Sequence, residues 1–168
     1  MAVLPIRTFG DPVLRVPARE VDDIDDRVRK LVQDMIDTMY DAPGVGLAAP
    51  QVGVSRRIAV FDAQDGDGAR VLINPTLEEV GGDDWIYEEG CLSIPGHYWE
   101  IVRPAYARVS AIDLDGRPVT YQGEGLLGRV LQHELDHLDG VLLIQRLPAR
   151  ERRRAFATLR REGMGLSE

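Results

Sequence analysis

The sequence predicts an α+β fold, with small antiparallel β-sheets packed around a central helix and a further helix at the C-terminal end. Three observations lead there. A helical stripe of apolar residues lies near the start, short segments rich in branched apolar residues fill the middle, and two more helical patterns follow. A length of 168 residues suffices for one sizeable core and is short for two, so a single domain over 1–168 is expected.

The elements follow in order. After the acidic turn around Asp22 to Asp26, the residues Val28, Leu31, Val32, Met35, Ile36 and Met39 recur at steps of three and four, the pattern of a core-facing helix. Pro43 and Gly44 end it, because proline cannot continue the hydrogen-bond ladder. The runs Arg57 to Asp62, Arg70 to Asn74 and Tyr106 to Leu114 read as strands, and Asp115-Gly116 as a hairpin turn into a strand from Arg117 to Glu124. A second helix is expected from Gly125 to Leu138, with Leu126, Val130, His133 and His137 on one stripe, and a third from Ala149 to Arg161 after Pro148. The acidic stretch Asp62 to Gly68 reads as a solvated turn. A calcium loop with Gly68 as its glycine would have Ala63 at the first ligand position and Asn74 at the last.

Composition narrows the function. With 44% hydrophobic and 29% charged residues the chain resembles folded globular proteins, and a net charge of -8 argues against a surface devoted to nucleic acid. From Arg146 to Glu162 the balance reverses, with seven Arg against two Glu. No run approaches the roughly 18 apolar residues of a membrane helix. The N-terminus lacks the layout of a signal peptide, so a cytoplasmic protein is expected. The single cysteine, Cys91, is either a buried structural thiol or a functional one.

The strongest local signal is His133-Glu134-Leu135-Asp136-His137, an HExxH sequence on the second predicted helix. Residues four apart differ by about 40° around a helix axis, so both imidazoles can face one ion, with Glu134 beside it. Leu126 and Val130 place the histidines on the apolar stripe, where buried imidazole nitrogens need a partner that a metal supplies. Two histidines leave a catalytic tetrahedral site one protein ligand short. A metzincin protease would carry a third histidine where this chain has Leu143, and the downstream Glu151 and Glu162 lie in the Arg-rich helix. Cys91 remains, although taken alone a single cysteine is more often a small buried hydrophobe than a ligand.

Three segments carry a family resemblance: Gly44-Val-Gly-Leu-Ala-Ala-Pro-Gln51, Glu89-Gly-Cys-Leu-Ser93 and Gln132-His-Glu-Leu-Asp-His-Leu-Asp-Gly140. They resemble, in order, the three signature motifs of peptide deformylases, which remove the formyl group from the N-terminal methionine of nascent polypeptides. The resemblance implies Cys91, His133 and His137 as metal ligands, with Fe2+ as the usual ion and Zn2+, Ni2+ or Co2+ able to replace it. It implies Glu134 as general base and acid, and Gln51 with the backbone N–H of Leu92 as donors to the oxyanion. Leu126 and Val130, on the same helical face as His133, would line the methionine pocket. The resemblance adds Val45, Tyr87 and His133 to that wall, and the backbone of Val45, Gly46 and Gly90 as partners for an extended peptide. The resemblance also counts Glu89 among the substrate-binding residues and implies that it pairs with Arg103.

After Pro95 the chain continues Gly96-His97-Tyr98-Trp99, where many relatives carry an arginine near the position of Tyr98, and His97 is given no ligand role. The Arg-rich end has two readings: a ribosome-docking helix, as the resemblance implies, or a solvated amphipathic helix with Phe156 and Leu159 toward the core. A monomer is expected. Two other functions remain open: a metalloprotease, opposed by Leu143 and Cys91, and a non-catalytic metal-stabilised ribosome-binding module, opposed by Glu134 and Gln51.

Overall fold

The structure is a computed structural model that describes residues 2–164. Helix α1 spans Asp26–Asp41, and the Asp25 carboxylate caps it by accepting from the Val28 N–H at 3.0 Å. Its predicted stripe is the buried one: Val28, Val32, Met35 and Met39 are almost fully enclosed.

The strands β1 (Gly46–Ala48), β2 (Ile58–Phe61), β3 (Arg70–Cys91), β4 (Ile94–Ile112) and β5 (Pro118–Gly123) form one antiparallel sheet, each paired with its neighbours in chain order. All four residues of β2 are buried, because both faces of the sheet are covered there. Ile58 and Val60 pack toward α1, while Ala59 and Phe61 pack toward helix α2 (Gly125–Leu138). The HExxH helix is therefore the centre of the fold, as expected. A Cβ on Gly128 would lie 2.5 Å from the Ala105 carbonyl oxygen, so a glycine here is what lets α2 settle against the backbone of β4.

The difference from the sequence reading lies in β3 and β4. Strands were expected only at Arg70 to Asn74 and Tyr106 to Leu114, whereas the two pair from Ile73↔Ile112 to Cys91↔Ile94. Residues 75–105 carry many acidic side chains and the pair Gly81-Gly82, and most of β3 beyond Pro75 is solvent-exposed, so no apolar alternation marks them. Backbone pairing holds them instead. Register shifts at four places bend the hairpin, the last between Gly90 and Cys91, beside its tip.

A third apolar cluster ties Phe9, Leu14, Ile94, Ile101 and Ile144 to helix α3 (Ala149–Arg161) through Ala155 and Leu159. Phe156 is half-buried, its ring 5.5 Å from that of Phe9. The acidic segment is the exposed turn the sequence suggests, with Asp65 paired to Arg70 at 2.8 Å.

Candidate active site

Three elements converge on one cleft of about 690 Å³. Strand β1, the residue before it and the short helical turn Ala49–Val52 supply Gly46, Val45 and Gln51; the tip of the β3–β4 hairpin supplies Tyr87, Glu89, Gly90, Cys91 and Leu92; α2 supplies Leu126, Val130, His133 and Glu134. Every candidate site residue read from the sequence lines this cleft except His137, which is 1% exposed and lies directly behind His133 in the same cluster.

Helical spacing brings the two imidazoles together: His133 Nε2 and His137 Nε2 are 3.1 Å apart. The hairpin tip presents Cys91 Sγ 3.3 Å from His137 Nε2. One sulfur and two nitrogen donors within 4.8 Å of one another form a candidate metal-binding triad, and a soft thiolate with two imidazoles suits a divalent transition ion. Glu151 and His97 take no part in it. His97 Nε2 instead meets Glu162 Oε2 at 2.5 Å, and its ring stacks on Trp99.

Glu134 sits against the triad, 2% exposed, and its Oε2 has no hydrogen-bond partner. Burial pushes its carboxyl up to about 7. A Cβ on Gly46 would overlap Glu134 Oε1 and come within 2.9 Å of Val130 Cγ2. The missing side chain at Gly46 is thus what allows β1 to lie alongside the HExxH helix.

Behind the triad lies a chain of charges that is buried except at its outer end, where Arg146 is exposed. Glu89 Oε1 accepts from His133 Nδ1 at 2.5 Å, which leaves Nε2 of that ring to face Cys91 and His137. Arg103 forks onto Glu89 at 2.8 and 3.0 Å, as expected, and also reaches Asp136 at 2.8 Å. Arg129 donates to Glu89 Oε2 at 3.1 Å, and Arg146 forks onto Asp136 at 2.6 and 3.0 Å. Burial would raise the Glu89 carboxyl, but the hydrogen bonds from His133 and Arg103 outweigh it and hold Glu89 well below the carboxylate range. Burial, with the charge of His133 next, lowers His137 well below the usual imidazole value.

Sequence reasoning missed Arg129, Asp136 and Arg146. A signal existed for the first two: both lie on a helix whose other residues are mostly apolar or committed to the motif, where a charge needs a buried partner. Arg146 gives no such sign, because it belongs by sequence to the basic tail and reaches Asp136 only through the fold.

An HExxH helix bearing two imidazoles, a third donor from a neighbouring hairpin and a buried carboxylate beside them define a metal-dependent hydrolase. The comparisons with known proteins agree. Residues 3–153 match the family described as polypeptide deformylase, and the chain belongs to that family. It is 49% identical to a peptide deformylase of Acidothermus cellulolyticus over 95% of this chain and 87% of that one. With a Pseudomonas aeruginosa peptide deformylase the identity is 47% over 96% and 97%. A crystal structure of the Synechococcus elongatus peptide deformylase in complex with actinonin superposes with a TM-score of 0.88 at 44% identity, covering 97% of this chain and 89% of that one. The protein is accordingly a hydrolase that removes the N-formyl group from nascent peptides.

Proposed function

We propose that Cys91, His133 and His137 hold a ferrous ion and that Glu134 carries the proton through deformylation of N-terminal formyl-methionine. The observation that carries this reading is the convergence of the three donor atoms within 4.8 Å at the cleft, beside a buried carboxylate with one oxygen unpartnered. These residues fit a transition ion: their donor atoms lie within 4.8 Å of one another, and Glu89 accepts from His133 Nδ1, which leaves Nε2 of that ring for the ion. Zn2+, Ni2+ and Co2+ suit the same donors.

A bound ion supplies a Lewis acid and makes water a nucleophile near neutral pH. Glu134 takes the proton of the attacking water and returns it to the departing amine, serving as general base and then as general acid. Gln51 Nε2 and the Leu92 N–H donate to the oxygen that gains negative charge as the formyl carbon becomes tetrahedral. Leu126, Val130, Val45 and Tyr87, with the His133 ring, line the cleft where the methionine side chain binds. The backbone at Val45, Gly46 and Gly90 pairs with the extended peptide.

A single chain supplies every residue of this site, so one domain acting as a monomer suffices, and its work on nascent chains puts it in the cytoplasm. The exposed arginines of α3, Arg150, Arg153, Arg154, Arg160 and Arg161, offer a phosphate-binding face for ribosomal RNA, while Leu159 is buried in the core. Salt-sensitive ribosome binding that survives the pair R153E/R154E would remove this last assignment. The enzymatic reading is tested by formate release from a formyl-Met tripeptide. Anaerobically iron-loaded protein should release formate, chelated protein should not, and iron addition should restore it; equal release by the chelated protein would overturn the metal assignment.

A further inference from the structure

The two ends of the Gln51 amide have the same shape, and their neighbours decide which is which. The Ala48 N–H can only donate, so Oε1 faces it, at 2.9 Å. Nε2 is thereby turned toward Ser93 Oγ at 3.0 Å and Cys91 Sγ at 3.6 Å. Gln51 and Ser93 are 1% and 0% exposed, so neither relies on water to hold its direction.

The two N–H bonds of a planar amide point apart. With one committed to Ser93, the other is directed to the side where Cys91 closes the cleft. Ser93 is itself well placed to act as an anchor. It belongs to the two-residue turn at the hairpin tip, next to Leu92. Its carbonyl accepts from the Phe9 N–H at 2.8 Å, and the Gln51 carbonyl accepts from the Arg7 N–H at 2.6 Å. One N-terminal stretch therefore fixes both backbones on which the contact depends.

We propose that Ser93 is a positioning residue for deformylation: its hydroxyl holds the Gln51 amide so that one N–H stays aimed at the substrate's formyl oxygen. The inference rests on the oxyanion role proposed above for Gln51. Without the hydroxyl, the amide loses its second anchor and the donor must be oriented during each turnover, which weakens preorganisation in the transition state more than binding in the ground state.

The test is a double-mutant cycle on iron-loaded protein: wild type, S93A, Q51A and S93A/Q51A, with kcat and KM measured on a formyl-Met tripeptide and metal content measured on each sample. S93A should lower kcat about tenfold with KM within about twofold and metal content unchanged. In the Q51A background the same substitution should change kcat by less than about twofold. An equal loss in both backgrounds, or a loss that follows metal content, would mean that Ser93 only supports the fold. Wild-type kcat in S93A would show that Gln51 needs no such anchor. Wild-type kcat in Q51A would instead remove the oxyanion role itself, and the positioning role with it.

Discussion

Substituting Glu134 by Gln in the metal-free protein isolates the electrostatic state of the site. Glu134 is 2% exposed with Oε2 unpartnered, and burial raises its carboxyl from 4.5 to about 7. Because the folded state binds this proton more tightly than the unfolded chain, the stability linked to it is complete below pH 4.5. It is then lost as pH rises toward 7, and is constant above. At about 1.4 kcal/mol for each tenfold difference in proton affinity, the carboxyl makes the folded state less stable by about 2 to 3 kcal/mol between pH 5 and pH 8. The neutral amide of E134Q carries no such cost. Urea unfolding of both proteins in the presence of a chelator should show E134Q gaining on wild type by that amount across the interval. A difference independent of pH would refute the reasoning, since it would mean that Glu134 is ionised or solvated throughout.

Three other perturbations test the surroundings of the site. Glu89→Ala leaves the buried Arg103 with Asp136 as its one carboxylate partner, strips Arg129 of its carboxylate and frees the His133 ring. Chemical unfolding should show a loss of about 3 to 5 kcal/mol, and competition with a chelator about 10- to 100-fold weaker metal binding. Cys91→Ser exchanges an ionisable thiol for a hydroxyl, so dialysed protein should retain far less than one metal ion per chain. Gly46→Ala forces a methyl group into Glu134 and Val130, and should cost about 1 to 3 kcal/mol in thermal unfolding as well as lowering kcat.

The parts of the fold that were legible are those in which one chain segment carries its own pattern. The bounds of α2 and α3 follow from apolar spacing and from Pro148, and the stripe of α1 is the one that packs on the sheet. The central stretch of the β3–β4 hairpin was not legible. Its strands face solvent with acidic residues such as Glu78, Asp84 and Glu88, and what defines them is pairing with a partner strand.

The site divides in the same way. His133, Glu134 and His137 announce themselves by spacing on one helix, whereas Cys91 and Gln51 became readable only through the family motifs around them. Asp136 and Arg146 are ten residues apart and meet only because the chain turns after α2, so neither the link nor its extension through Arg103 to Glu89 has a local signature. Ser93 stood inside a motif without a role. Its meaning depends on Gln51, 42 residues away, reaching it across the fold.

The central claim is that one residue, Glu134, moves the proton while three others hold the metal. The most direct test measures bound metal and formate release on the same anaerobic, iron-loaded samples of wild type and E134Q. One ion per chain is expected in both, with formate release in E134Q lower by at least about a hundredfold. Release at the wild-type rate by metal-replete E134Q would contradict the claim.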